Sequence, residues 1–355
     1  MNLGTRETVD KPTEGVKTLD VLYQSSDLYA PMAGVSMVSL MENNKEINEI
    51  NIYLMGSGIS DLNMSKFKKA CDSYGRCLSV ICTKEVKHEL QSVWRVPTVR
   101  GSLATYFKLM AIVRLSIAAD RVLYIDADTI VVGSLIPLVD MSFDGNLMAG
   151  CLSVSAPRAR KISGLSPKGK WFNSGVILFN RYLWLHENCE EQIVEHMMSL
   201  QRPYTIADES ILNVLFGHRI KLLDMKYNFQ SYTYFYGIKH ALGIYGLNAD
   251  NFYDIDHVSE AYYSPVIHHT VGSLTGRPCH LNNLHPLNSL FDKYLSISPW
   301  HDWEKMEAKG RLADSIQRAL YNALPRSMYV PIHRTYVSYK WRKEHKPLQI
   351  ISRLR

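Results

Sequence analysis

Residues 122–132, VLYIDADTIVV, constrain the fold more than any other stretch of this 355-residue chain. Val122, Leu123, Tyr124 and Ile125 form an unbroken apolar run, the pattern of a central strand buried on both faces. The run breaks into Asp126-Ala127-Asp128. In open α/β sheets, ligands collect beyond the carboxyl ends of strands. Two carboxylates one residue apart, on a chain that turns, can share a hard cation such as magnesium or manganese. The stretch therefore implies a strand end that holds a divalent metal and a charged ligand, such as a phosphate. Its competitor is an ordinary turn, which aspartates also favour.

The flanking sequence supports a sheet with helices on it. LDVLYQSS (19–26), INEINIYLM (47–55) and RCLSVIC (76–82) read as strands. Helical spacing runs from Pro31 to about Met41, and Ser60 can cap a helix over 61–74. Residues 103–119 are apolar and of helix length. Further strands are expected within 143–154, over 171–180 and over 218–224, with helices at 188–201, 208–216, 286–296 and 311–323. The Gly/Pro/Ser-rich segment 156–170 reads as a loop, and the Tyr- and Phe-rich segment 227–265 as irregular, either a binding wall or a packed connection. Strands alternating with helices give an α/β fold with a largely parallel sheet.

With 46% hydrophobic and 21% charged residues, the chain has the composition of an ordinary globular protein. The N-terminal 1–18 segment is polar and no apolar run is long enough for a membrane span, which leads to the expectation of a cytoplasmic protein. Six cysteines without a CxxC pair are expected to be reduced. Residues 334–355 hold seven Lys/Arg against Glu344, a sum of +6 that equals the net charge of the whole chain. The body is thus neutral, which argues against nucleic acid as a partner.

A phosphate-and-metal site needs more parts. IHHTVGSLTGRPCH (267–280) offers His268 or His269 as a third metal ligand, glycines at 272 and 276 for close backbone approach, and Arg277 for phosphate charge. At the end of the first strand, Asp27 suits a base or ribose and Tyr29 a stacked base. GxGxxG is missing after that strand and GxxxxGK[ST] is missing throughout, so NAD and P-loop ATP are poor candidates. Asp208 and Glu209 open a helical segment, where acids also serve as caps.

In their order and spacing, SSDLY (25–29), GIS (58–60), ATYFKL (104–109), VLYIDADTIVVGSL (122–135), FNSGVILFN (172–180), ADESILN (207–213) and HHTVGSLTGRP (268–278) resemble the family 8 glycosyltransferases. These include bacterial lipopolysaccharide galactosyl- and glucosyltransferases and glycogenin. The resemblance implies a Rossmann-like GT-A domain over 19–300 and a helical, basic and aromatic extension over 301–355. It implies a UDP-sugar donor, galactose or glucose, and a bound Mn2+ (or Mg2+) on Asp126, Asp128 and His269. Ser26, Asp27 and Tyr29 would meet the nucleoside, and Ala127 would line the nucleotide-sugar site. Lys108 would face the diphosphate or sugar, Asn173, Ser174 and Asp208 the donor sugar, and Gly272 and Arg277 the diphosphate. Family 8 enzymes retain anomeric configuration. Asp208 and Glu209 are the carboxylates on hand for a nucleophile, unless the leaving phosphate itself deprotonates the acceptor in a front-face route.

Three departures stand out. Glu209 occupies a usual Gln position. The family's His-x-x-Gly-x-x-Lys-Pro-Trp is here two residues longer, with Arg277 for Lys and Cys279 for Trp. A donor-side carboxylate expected after residues 146–152 is missing, with Ser153 nearby. The segment 329–355 mixes aromatics with cations, as in segments that lie on an anionic inner-leaflet surface, and a glycan or glycolipid acceptor follows from that. Two rival functions are a haloacid-dehalogenase-type phosphohydrolase, since IDADTI also fits its strand motif, and a non-catalytic nucleotide-sugar-binding protein. The first lacks a later Gly-Asp-x-x-x-Asp-like pair.

Overall fold

The computed structural model describes residues 16–94, 96, 98, 103–115, 119–200, 203–271, 276–307 and 312–344. Gly272 and tail residues 345–355 lie outside the described residues. Among the described residues there are ten strands: β1 (Thr18–Ser26), β2 (Glu49–Ser57), β3 (Cys77–Cys82), β4 (Arg121–Ile125), β5 (Thr129–Val131), β6 (Met148–Leu152), β7 (Phe172–Asn180), β8 (Ile220–Leu222), β9 (Phe229–Gln230) and β10 (Ile267–His269). Seven form the main sheet in the order β3-β2-β1-β4-β7-β6-β8. Within it β3, β2, β1 and β4 run parallel, and β7 is antiparallel to both neighbours, β4 and β6. The sheet is mixed and largely parallel, as the sequence implies.

Strand alternation sends side chains to two separate cores. Val21 and Tyr23 of β1, with Leu123 and Ile125 of β4, join a cluster with the helices Ala30–Glu42, Asp61–Ser73 and Asn288–Ser296. Leu22, Val122 and Tyr124 join the opposite cluster, with the helices Cys189–Ser199 and Ala207–Phe216. Helix Ala30–Glu42 starts with Pro at its first turn, where the missing N–H costs no hydrogen bond. It is buried nearly all round, and at Gly34 an added Cβ would lie 2.1 Å from the Trp300 ring. Ser60 caps the next helix as expected, accepting from the Asn63 N–H.

A second sheet, β5-β10-β9, lies at the carboxyl end of β4. In the antiparallel pairing of β5 and β10, His269 stands opposite Thr129 and Ile267 opposite Val131. The Ser39 hydroxyl of helix Ala30–Glu42 accepts from the Val131 N–H, so this short strand is held from the helix side too.

Several local expectations are corrected. Residues 103–119 are not one long helix, since Ala104–Arg114 is a chain of short helical turns and the α-helical part Phe107–Ala111 is wholly buried. Residues 156–170 are not all loop, because Ala156–Ile162 is helical with Pro157 in its first turn and Ala156, Ala159 and Ile162 buried. The irregular reading of 227–265 gives way to three helices, Tyr232–Tyr236, Ile238–Tyr245 and Ile255–Tyr263, the last capped by Asp254. The tail also folds further than its composition suggests: Arg326–Glu344 is a helix. Tyr329 and His333 are buried, with His333 hydrogen-bonded to the Tyr236 hydroxyl at 2.8 Å. All six cysteines are free.

Candidate active site

Asp126 follows the last residue of β4, and its N–H donates to the Gly175 carbonyl (2.7 Å), extending the β4–β7 ladder by one bond. The chain then turns into β5. The Asp128 carbonyl accepts from both the N–H (2.8 Å) and the hydroxyl (2.7 Å) of Thr270, just after β10. The two aspartates therefore occupy the short turn between the sheets, and β5–β10 pairing carries His269 to them.

One ligand atom each from Asp126, Asp128 and His269 lies within 4.8 Å of the other two, the one such group among the described residues. His269 Nε2 is 3.4 Å from Asp128 Oδ1 and 3.8 Å from Asp126 Oδ2. Its Nδ1 lies 3.0 Å from Asn228 Oδ1. Two carboxylates and an imidazole fit a divalent cation, the carboxylates suiting a hard ion and the imidazole turning the set toward a transition metal. His268 projects to the other side of β10, against Tyr234, and burial lowers its pKa to about 4. Strand alternation thus selects His269 from the pair. Burial alone would raise the Asp128 carboxyl, yet Arg277 and His269 hold it well below the usual carboxylate range. Arg277 Nη2 lies 3.0 Å from Asp128 Oδ2.

The triad closes only because residue 175 has no side chain. A Cβ there would lie 2.3 Å from His269 Cε1 and 2.8 Å from Asp126 Oδ2.

These groups sit in a cleft of about 790 Å3 lined also by Ser26, Tyr29, Lys108, Ala127, Asn173, Ser174, Asp208 and Glu209. Tyr29 is 40% exposed, which leaves a ring available for stacking. Lys108 is buried, forms ion pairs with Asp208 and, at 3.9 Å, with Asp126, and donates to the Ser174 carbonyl at 2.8 Å. Burial opposes its charge, but Asp208 and Asp126 outweigh burial and raise its pKa. Ser174 also donates its hydroxyl to Asp208 Oδ2 (2.7 Å). Glu209 Oε1 accepts from Trp171 Nε1 (2.6 Å), while Oε2 accepts from Asn173 Nδ2 (3.0 Å) and the Ser174 N–H (3.3 Å). Burial raises the Glu209 pKa to about 7, against the pull of the Trp171 hydrogen bond.

Asp27 is placed differently from the other candidates. It does not line the cleft. Its Oδ1 accepts from the Ser60 N–H (2.8 Å), the Ser60 hydroxyl (2.7 Å) and Asn63 Nδ2 (2.7 Å), which ties the end of β1 to the helix Asp61–Ser73. Four contributors escaped sequence reasoning: Gly175, Trp171, Tyr124, whose hydroxyl donates to Asp126 Oδ1, and Asn228. Gly175 lies inside FNSGVILFN and was within reach of that motif. Asn228 precedes β9 in a segment with no readable period.

Residues 20–269 match the model of Glycosyl transferase family 8. The chain is 27% identical over 294 residues to the lipopolysaccharide 1,2-glucosyltransferase of Escherichia coli K12, covering 82% of this chain and 81% of that protein. It is 25% identical over 282 residues to the lipopolysaccharide 1,3-galactosyltransferase of Salmonella typhimurium LT2, covering 75% and 74%. The fold is similar to the crystal structure of the galactosyltransferase LgtC in complex with donor and acceptor sugar analogs, with a TM-score of 0.59, 20% identity, and coverage of 79% of this chain and 96% of that one.

Proposed function

Because the chain belongs to glycosyl transferase family 8, we propose that it moves a hexose, galactose or glucose, from a UDP-sugar to a glycan or glycolipid acceptor with retention of anomeric configuration. The observation that carries this reading is the meeting of Asp126, Asp128 and His269 in a cleft of about 790 Å3, a size within the usual range for small-molecule sites. The lipopolysaccharide transferases similar to this chain support a hexose donor and a role in lipopolysaccharide or surface-polysaccharide synthesis.

In this reading Asp126, Asp128 and His269 hold Mn2+, with Mg2+ as the alternative. When bound, the ion supplies positive charge against the departing diphosphate. Arg277, with Gly272 of the same sequence motif, binds diphosphate oxygens, and Lys108 adds a second cation held near Asp126. Tyr29 stacks on uracil beside Ser26, and Asp27 braces that end of the cleft through Ser60 and Asn63. Ala127 lines the nucleotide-sugar site, and Asn173 and Ser174 face the hexose. Asp208, oriented by Lys108 and Ser174, offsets positive charge developing at the anomeric carbon. Glu209, its oxygens engaged by three donors, holds the wall from which Asn173 and Ser174 project. In a front-face route the leaving phosphate oxygen takes the acceptor proton, and neither carboxylate has to leave its hydrogen bonds.

We place the protein at the inner face of the cytoplasmic membrane, where a glycolipid acceptor would lie. No helix of the described residues is long and apolar enough to cross a membrane. Supporting a peripheral contact, Met328, Ile332 and Tyr339 are exposed along the helix Arg326–Glu344, and a basic sequence follows them.

Calorimetry with UDP, with and without Mn2+, followed by sugar release from UDP-galactose and UDP-glucose, tests the function, with Asp128→Asn as the blank. Metal-dependent binding with release of one hexose is the expected result. Metal-independent binding without turnover would make this a nucleotide-sugar-binding protein, and phosphate release from small phosphoesters would make it a hydrolase.

A further inference from the structure

Asn228 is 1% exposed and ends the turn Met225–Asn228 before β9. It touches both the candidate metal ligand His269 and the cleft residue Asn173. The polarity of these contacts follows from a group whose role is unambiguous. The Gly175 backbone N–H can only donate, and it points at Asn173 Oδ1 (3.0 Å). The Asn173 amide nitrogen is therefore the atom that meets Glu209 Oε2. Asn228 also meets Asn173 Oδ1, at 2.8 Å, and must present its own nitrogen there. Its remaining atom, Oδ1, is then the one 3.0 Å from His269 Nδ1. A carbonyl oxygen requires an N–H opposite it, so the proton of a neutral ring sits on Nδ1 and the lone pair on Nε2.

We propose that Asn228 is a positioning residue. It fixes His269 as the Nδ1–H tautomer and holds the ring so that Nε2 completes the Asp126–Asp128 ligand set. The same two amides run from the Glu209 wall of the cleft to the metal ligand, so residues facing the hexose and a residue facing the cation share one hydrogen-bonded frame. This inference rests on the proposed divalent-metal site. Partners on the outer nitrogen of a ligating histidine orient the ring, and their loss typically weakens metal binding about 10–100-fold. An amide in that role adds no charge, so the Asp126, Asp128 and His269 set keeps its charge balance.

The test uses the full chain and three variants. Asn228→Leu and Asn228→Ala remove the acceptor for Nδ1–H, whereas Asn228→Asp keeps an acceptor there, turns the donor to Asn173 into a second acceptor and adds a negative charge beside the ligand set. Electron paramagnetic resonance of free Mn2+ at saturating UDP reads the metal affinity. Calorimetry of UDP without metal and far-UV circular dichroism control for the nucleotide site and the fold. We expect Asn228→Leu, or Asn228→Ala should Leu not fold, to weaken Mn2+ about 10–100-fold. Asn228→Asp, whose added charge can only favour the cation, should bind Mn2+ at least as tightly as the wild type, and metal-free UDP affinity should not change in the Leu or Ala variant. Wild-type Mn2+ affinity in the Leu or Ala variant would overturn the assignment alone. So would an Asp variant as weak as Leu, because the role would then be the bond to Asn173. A wild-type protein that binds no Mn2+ in the presence of UDP would sink the metal reading and this assignment with it.

Discussion

A methyl group at position 175 would collide with His269 and Asp126 together, so this glycine is needed for packing and not for a special backbone angle. Gly175→Ala is expected to force the two ligands apart. A displacement of about 1 Å at a reacting site can cost on the order of 100-fold in rate, so turnover should fall by that order while circular dichroism is unchanged. A variant with wild-type Mn2+ affinity and turnover would contradict the packing argument. Glu209 supports a pH prediction. Burial lifts its pKa to about 7, but all three of its partners donate, so the hydrogen-bonded wall requires the carboxylate. As pH falls through about 7 the group protonates, a proton meets donors, and turnover should fall. Glu209→Gln should flatten that acid limb in a pH–rate profile. At this scale the sequence makes Asp126 and Asp128 evident from type and spacing. Residue chemistry alone leaves His268 and His269 open, because which face of β10 points at the aspartates depends on its partner strand, and the family resemblance is what singles out His269.

At the scale of elements, the candidate residues are held by secondary structure whose ends are tied side chain to backbone. Asn213 of the helix Ala207–Phe216 accepts from the Phe172 N–H and donates to the Phe172 carbonyl, both at 2.8 Å. It acts as a one-residue strand partner for the start of β7 and sets the helix that carries Asp208 and Glu209. Asn213→Leu would leave a buried N–H and carbonyl without partners, at about 1–3 kcal/mol for each unsatisfied group. Chemical denaturation should show a loss of that order, and a loss under about 0.5 kcal/mol would mean that the helix is set by packing alone. Gly34→Ala should be destabilising as well, since Trp300 would have to leave its place against the helix Ala30–Glu42. The central strands were legible as short apolar runs, and the amphipathic helices because one face is polar. The helices at 156–162, 232–236, 238–245 and 326–344 were not: the first begins with a proline that reads as a loop signal, the next two are short and joined at Gly237, and the last carries Pro331 inside it, a residue that ordinarily ends a helix.

For the whole molecule, the tail shows how tertiary packing redistributes what composition suggests. Tyr329 and His333 pack against Tyr236 and are not available to a membrane, whereas Met328, Ile332 and Tyr339 remain outside. Deleting 329–355 would therefore open a core as well as remove cations. Ile332→Glu is the cleaner probe, expected to release the protein from anionic vesicles in a sedimentation assay with UDP binding intact. Unchanged vesicle binding would remove the membrane surface as a partner. By itself the sequence determined the α/β class, the largely parallel character of the sheet, the Asp-x-Asp at a strand end and the family. These follow from local pattern and residue chemistry, which a linear chain displays directly. The resemblance already points to His269, and the pairing of β10 with β5 gives the physical reason. Only the tertiary structure decided that Asp27 braces a helix, that Gly175 must be small and that Asn228 meets the His269 ring. Each of these depends on which strands become neighbours, and the hydrogen bonds and close contacts that result join residues tens to more than a hundred positions apart.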